Sequence, residues 1–398
     1  MKFLQSFNSL KTYVEQESFK GWDPYDGLNS EVFQATPLKK WDLARLVWIQ
    51  GFKRSPLNFR KLLLVPKEYN AKGIGLILTG YCNIYHVQQN TNTREYGKQD
   101  EILEKINFLA DLLIELQSDG YSGACWGYNF DWQARRLFLF PKNTPTVVAT
   151  NFAASGLFEA YEISGNTTYL NTALSSAQFV LKDLKRTPKK KGFLFSYSPL
   201  EGNNTVYNAS LLGSRLLSLC YKYDPKQEYI DVAQASIEAC IEAQNENGSW
   251  VYGELPVQNW IDSFHTGYNL DGLIAYQKAT GDISFENNIK IGFEFYIRNF
   301  FKDDGTPKYY HNQTYPIDIH CPAQLFVSLH RLNKSTENME LEKKVMNWTL
   351  TNMQDSKGYF YYQLKKGLSS KISYMRWSNA FMFYAMSFYL LNRSINHG

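Results

Sequence analysis

Residues Thr150–Asn166 read TNFAASGLFEAYEISGN: a polar start, an apolar helical run, then a turn of small and polar residues. The same order returns as YNASLLGSRLLSLCYKYD from Tyr207, FHTGYNLDGLIAYQKATGD from Phe264, IHCPAQLFVSLHRLNK from Ile319 and RWSNAFMFYAMSFYLLN from Arg376. Aligned on their second residues, Asn151, Asn208, His265, His320 and Trp377, the segments stand 57, 57, 55 and 57 residues apart. Steps that even mark an internal structural repeat.

Outward from each of these runs the pattern continues. A Gly/Asn/Asp/Pro turn leads into a second helix with apolar residues on one face only, as in TYLNTALSSAQFVLKDL, YIDVAQASIEACIEAQ and FENNIKIGFEFYIRNF. A short Gly/aromatic stretch with strand character follows, such as GFLFSY or NGSWVYGE. A helix apolar all round is buried and one apolar on a single face is peripheral. The first helix of each pair therefore lines the inside and the second the outside. Toward the N-terminus, GIGLILTGYCNIYHVQQ from Gly73 fits another inner helix and EILEKINFLADLLIELQ from Glu101 its outer partner. Helices at about 3–19 and 41–51 are expected to supply the remaining pair. The expectation is an all-α chain, a single domain over 1–398, with six hairpins closed into an (α/α)6 toroid. Residues 1–72 hold N-terminal helices and a lid, 73–398 the repeats, and 119–149 an inserted loop.

Composition sets outer limits. The 398 residues are 44% hydrophobic and 16% aromatic, with 28 Tyr, 26 Phe and 9 Trp. That aromatic share suits a core and also a cleft that stacks on sugars. A net charge of +4 is too mild for a nucleic-acid partner. The basic run KDLKRTPKKK (Lys182–Lys191) reads as a solvated loop. Five widely spaced cysteines, Cys82, Cys125, Cys220, Cys240 and Cys321, make no disulfide framework. The start MKFLQSFNSL has no apolar signal-peptide core, and no apolar run is long enough for an integral membrane segment. A cytoplasmic address is expected. No Walker or Rossmann fingerprint is present, and the GIG at Gly73 sits within an apolar helix, so no cofactor is expected.

The register places candidate chemistry. N-termini of inner helices gather at one face of a ring, and their free N–H groups favour anions. Asn151, Asn208, His265, His320 and Trp377 are thereby expected to form a polar and aromatic ring at the cavity mouth, beside Arg376, Tyr207, Tyr268, Asp262 and Asp318. Asn and Asp at such positions also serve as N-caps, which His does poorly. The insertion, CWGYNFDWQARRLFLFPKNTPT from Cys125, offers Asp131, Arg135 and Arg136 to hold an anion and Trp126, Tyr128 and Trp132 to stack on a ring. GWDPYDGLNS (Gly21–Ser30) reads as a lid over one mouth.

Three resemblances bear on these segments. AQNENGSW (Ala243–Trp250) resembles the Gln-x-x-x-Gly-x-Trp repeat of triterpene cyclases, with QSDGYSGACW and QDSKGYF as weaker copies. Neither the Asp-x-Asp-Asp acid motif nor an aspartate-rich diphosphate motif accompanies it, so the fold is implied and the chemistry is not. GACWGY and the His320–Cys321 pair resemble segments of lanthionine-cyclase toroids, which implies a zinc site from Cys125, His265, His320 and Cys321, although the spacing matches no standard zinc motif. GWDPYDGLNS, CWGYNFDWQARR and the following NTPT resemble toroid proteins of bacterial exopolysaccharide and lipopolysaccharide clusters, over most of the chain. Related toroids of six hairpins include uronate epimerases, polysaccharide lyases, unsaturated-glucuronyl hydrolases and N-acylglucosamine epimerases.

The resemblance implies a carbohydrate partner, an oligo- or polysaccharide that is lipid-linked in some such pathways. The leading expectation is proton abstraction next to a uronate carboxylate, as in an epimerase or lyase. Asn151, Asn208 and Arg376 would hold the carboxylate, and His265, His320 and Tyr268 would supply base and acid. A hydrolase would instead pair carboxylates from Asp131, Asp262 and Asp318. A glycan-binding protein without turnover is the alternative outside enzymes.

Overall fold

The computed structural model describes residues 2–133 and 139–395. Helices α1 (Lys2–Gln16), α2 (Glu31–Gln34) and α3 (Asp42–Arg54) come first. Inner and outer helices then alternate: α4 (Ala71–Thr91), α5 (Gln99–Glu115), α6 (Val147–Ser164), α7 (Thr167–Gln178), α8 (Tyr207–Tyr223) and α9 (Gln227–Glu242). They continue as α10 (Ser263–Thr280), α11 (Glu286–Phe300), α12 (His320–Arg331), α13 (Met339–Met353) and α14 (Phe381–Ile395). The strands are short pieces at the loops. They are β1 (Trp132–Gln133) with β2 (Leu139–Phe140), β3 (Arg186–Pro188) with β4 (Phe193–Phe195), and β5 (Ile317–Asp318) with β6 (Tyr361–Leu364) and β7 (Ser370–Ser373), all antiparallel. Of the Lys182–Lys191 run, Arg186–Pro188 form β3, the first arm of the β3–β4 hairpin, and much of the rest is exposed connection.

The even-numbered helices α4 to α14 pack side by side in sequence order, and α14 packs back on α4, so the inner ring is closed. Inner helices touch closely where they carry glycine. A Cβ on Gly75 of α4 would lie 2.6 Å from the Phe152 carbonyl oxygen, and one on Gly156 of α6 would lie 2.9 Å from that of Gly75. One contiguous core of apolar residues fills the space between the two layers of helices.

The Gln-x-x-x-Gly-x-Trp segment ties neighbouring outer helices. Gln244 Nε2 donates to the Gly248 carbonyl and to the Asn288 carbonyl of α11, both at 3.0 Å. Trp250 donates its indole N–H to Cys240 at 2.9 Å. Gln354, after α13, repeats the contact: its amide donates to Gly358 and to the Ser6 carbonyl of α1. Gly248 and Gly358 both have left-handed φ, and a Cβ on either would lie 2.3 Å from the next helix's carbonyl oxygen, that of Ile291 or Ser9. α1 therefore stands where a further outer helix would, and completes the sixth hairpin with α14. The second N-terminal helix does not join the ring. α3 packs on the turn at Asp26–Asn29 and on β1, as part of a cap over one end. Its inner face carries Ile49 and Phe52, which are buried. Among the described residues no helix is long and apolar enough to cross a membrane.

Candidate functional site

Asp262 caps α10. Its Oδ1 accepts the His265 backbone N–H at 3.0 Å, and its Oδ2 accepts the Trp260 indole N–H at 2.9 Å. The same Oδ2 lies 2.8 Å from His265 Nδ1, while the carboxylate is wholly buried and the imidazole 19% exposed. A buried carboxylate on Nδ1 fixes the ring and its tautomer, and leaves Nε2 as the atom for proton transfer. Tyr252 stacks on Trp260 at 4.6 Å and lies equally close to the His265 ring. Beside His265 is a narrow, tightly closed crevice, lined also by Asn208, Tyr252, Thr266 and Asn269. The side-chain oxygens of Asn208 and Asn269 are buried there without a hydrogen-bond partner. Buried acceptors of this kind call for a donor such as a hydroxyl.

His320 opens α12 at the equivalent repeat position, in different surroundings. Its ring is 1% exposed and its Nδ1, 3.6 Å from Asp318 Oδ1, makes no hydrogen bond. Asp318 instead receives the His320 backbone N–H at 3.0 Å and the Trp377 indole N–H at 2.9 Å. Burial, against the pull of Asp318, lowers the His320 pKa to about 4. The two imidazoles share one neighbour: the Phe264 ring is 4.1 Å from His265 and 5.0 Å from His320. Tyr268 is 6.0 Å from His265, ring to ring, and burial raises its pKa well above the usual, which keeps it a neutral phenol.

Two buried cations border this region. Arg376, on a π-helical turn at Met375–Ala380, meets Asp23 of the cap through two hydrogen bonds, Nε at 2.6 Å and Nη2 at 2.8 Å. Burial alone would lower its pKa, but the Asp23 carboxylate outweighs that and raises it. Its guanidinium lies over Tyr128 and Trp377, so the cap is tied to the ring at the mouth. Lys72 of α4 is buried against the rings of Phe152, Tyr268 and Phe381, and its amine is 3.3 Å from the Tyr268 hydroxyl. Burial, with the positive charge of Arg376, puts its pKa well below that of a free lysine.

The structure thus gathers His265, Asp262, Tyr268, His320, Asp318, Asn208, Trp377 and Arg376, all anticipated from register. It separates others. Asn151 is fully buried and spent, its amide donating to Leu212 and its oxygen accepting from Arg215. Trp126 is core, with its indole N–H on Leu113, the counterpart of Trp250 on Cys240. Tyr207 is also buried in the core. Asp131 turns into its own hairpin and accepts the Lys142 N–H at 2.7 Å. Trp132 stacks on Phe140 and meets Tyr25, which in turn meets Trp377, so the insertion reaches the mouth through an aromatic chain. Arg135 and Arg136 lie outside the described residues. No group of three or more His, Cys, Asp or Glu side chains converges in metal-binding reach among the described residues, and the set Cys125, His265, His320 and Cys321 is not brought together. Sequence reasoning missed Lys72, Tyr252 and Asn269 as site residues. Lys72 immediately precedes the apolar run at Gly73 and was the one charge close to it. A separate groove of about 930 Å³ lies outside the ring, lined by Phe293, Lys290, Glu294 and Glu337, and holds no histidine.

The sequence matches no protein-family model and no curated protein. Solved structures do match over most of the chain. A cellobiose 2-epimerase from Bacillus thermoamylovorans is 13% identical, with a TM-score of 0.64, covering 83% of this chain and 90% of its own. A family 76 glycoside hydrolase from a bovine Bacteroides thetaiotaomicron strain is 13% identical, with a TM-score of 0.63, covering 100% and 78%. An unsaturated glucuronyl hydrolase specific for heparin is 12% identical, with a TM-score of 0.55, covering 81% and 86%. At such identity the likeness is one of architecture: this chain shares the (α/α)6 toroid fold of these structures.

Proposed function

We propose that this protein is a carbohydrate-acting enzyme that moves a proton at a sugar carbon, with His265 as the acid–base group. The observation that carries this reading is one crevice holding a carboxylate-anchored, partly exposed imidazole and two unpartnered amide oxygens. Asn208 and Asn269 accept from sugar hydroxyls, Tyr252 offers a flat face, and Asp262 stabilises the imidazolium formed when His265 takes the proton. Usual ligand pockets hold about 300–1,000 Å³. The crevice beside His265 is far tighter than that, with no room for a whole sugar ring as it stands, so a sugar meets the 19% exposed His265 ring from the mouth, along the aromatic chain of Trp377, Tyr25 and Trp132. His320, neutral at pH 7 and sealed behind Phe264, forms a wall of the site and leaves the proton to His265.

The uronate preference anticipated above loses support from the geometry. Arg376 is engaged by Asp23 and Asn151 by Arg215, so two of three intended carboxylate receptors are spoken for. A sugar whose own carbonyl acidifies the neighbouring C–H fits better, as in 2-epimerisation or aldose–ketose exchange. Hydrolysis by paired carboxylates is disfavoured because Asp262 and Asp318 are buried and already accept from Trp and His. The proposed setting remains bacterial surface-polysaccharide assembly or modification, on the resemblance of the cap and insertion. Incubation in D2O with reducing disaccharides, free hexoses and uronate oligosaccharides, read by mass spectrometry and NMR, tests the reaction. Carbon-bound deuterium that vanishes in His265→Gln is expected. Binding without deuterium uptake across the panel would instead make the protein a glycan binder, and reducing ends labelled from H2¹⁸O would make it a hydrolase.

A further inference from the structure

The cap carries a surface that the site does not explain. Of the seventeen large hydrophobic side chains exposed among the described residues, nine fall in the 34 residues from 31 to 64. They include Trp41 (64% exposed), Leu43, Val47, Leu57, Leu62 and Leu64. α3 shows why. Ile49 faces inward onto the small core of Leu28 and Phe33, and Phe52 is buried against Trp48, while positions 43 and 47, one turn apart on the opposite side, face solvent. This helix is apolar on both faces, and folding of the described chain covers only one. Charge is concentrated in the same stretch. Residues 31–64 hold seven Lys or Arg against two Asp or Glu, and with Arg60 buried on Asp26 the remainder is a net +4. Lys39, Lys40, Arg54 and Lys61 are exposed there. The β6–β7 hairpin adjoins: Lys365 Nζ is 3.4 Å from the Arg54 carbonyl, and the hairpin tip exposes Lys366 and Leu368.

We infer that the outer face of the cap, α3 with the 55–64 loop and the β6–β7 tip, docks on an anionic lipid surface. Exposed apolar patches with a polar rim mark contact sites. Trp and Leu side chains ringed by Lys and Arg match an interface of acyl chains beneath negative headgroups. A second copy of this chain is a poor occupant, since two-fold pairing would set one basic face against another. The inference is independent of the reaction proposed for the cavity; it would place the capped end of the toroid at the membrane, where a lipid-linked glycan is presented.

The experiment is co-sedimentation of the full chain with vesicles of phosphatidylcholine, with and without phosphatidylglycerol, at low and high salt. Binding to the anionic vesicles alone, weakened by salt, is expected. Leu43→Glu/Val47→Glu and Lys40→Glu/Lys61→Glu should each weaken it by roughly tenfold or more, with unchanged circular dichroism and unchanged sugar binding. No binding to anionic vesicles overturns the inference, as does binding that ignores headgroup charge or is untouched by both double variants. A concentration-dependent dimer in sedimentation equilibrium, abolished by Leu43→Glu/Val47→Glu without any vesicle binding, would assign the face to a second copy instead.

Discussion

His265 and His320 occupy the same repeat position, 55 residues apart, each with an aspartate before it and a tryptophan on that aspartate. At His265 the carboxylate sits on Nδ1 at 2.8 Å and the ring is partly open to a crevice. At His320 the carboxylate stands off at 3.6 Å, its donors are backbone and indole, and the ring is sealed among Phe264, Trp377 and Phe381. The first geometry suits the proton transfer proposed for His265; at the second, burial holds the imidazole neutral. The aspartate–histidine distance and the access of solvent separate two roles that the repeat alone makes equivalent.

The largest effect expected from this contrast is on turnover. Removing a positioned acid–base group costs about 10²–10⁴-fold, so His265→Gln should lower proton exchange by that factor while sugar binding, followed by calorimetry, changes little. A loss of affinity with turnover per bound sugar intact would recast His265 as a binding residue.

Stability against pH comes next. The folded pKa of His320, about 4, lies below the unfolded value of 6.5. As pH falls through this window the unfolded chain takes up the proton first. The contribution of His320 is thus fully present above pH 6.5 and lost on descending to about pH 4, a change of about 3 kcal/mol. Urea unfolding of the native chain and of His320→Gln from pH 7.5 to 4 should show the native chain falling more steeply. Parallel curves would mean that the imidazole is not held neutral.

Asp262→Asn separates anchoring from capping. Asparagine still caps the helix through its oxygen, but its NH2 would face the Trp260 N–H that Asp262 Oδ2 accepts, so about 1–3 kcal/mol of stability should be lost, and loss of the charge facing the imidazolium should slow exchange by about tenfold. Asp262→Ala should lose about 1 kcal/mol of stability besides.

The sequence carries the ring and much of the histidine geography, because periodic burial and register are local properties. Equal spacing put His265 and His320 on equivalent inner-helix starts, and the glutamine–tryptophan segments pointed to a toroid. What was not legible depends on partners distant in the chain. Arg376 looked like a free anion receptor because nothing near it announces Asp23, 353 residues away. Asn151 looked like a mouth residue, yet Arg215, two turns into α8, takes its oxygen. Trp126 looked like a stacking platform on a loop; its true kinship is with Trp250, since both donate to the C-terminal end of an outer helix. The helix at 41–51 had the right length for the ring, and only its two apolar faces distinguished it from an outer helix.

The smallest effect probes the tryptophans. Trp260→Phe and Trp377→Phe each remove one N–H from a buried carboxylate while keeping a ring in place. Asp262 would keep two donors at 3.0 Å or less, the His265 backbone and Nδ1. Asp318 would keep one such donor, the His320 backbone at 3.0 Å, and a longer one from Gln363 at 3.3 Å. A hydrogen bond to a charged group contributes about 1.5–3 kcal/mol and an ordinary one about 1. Trp377→Phe should therefore cost about 2 kcal/mol and Trp260→Phe about 1, measured by urea unfolding at pH 7. The loss at Asp318 should be accompanied by a rise in the His320 pKa, visible by NMR, because a carboxylate with fewer donors draws the nearby imidazole proton more strongly. Equal costs and a fixed imidazole would show that the two stations differ in solvent access alone, with the donor sets around their aspartates playing no part.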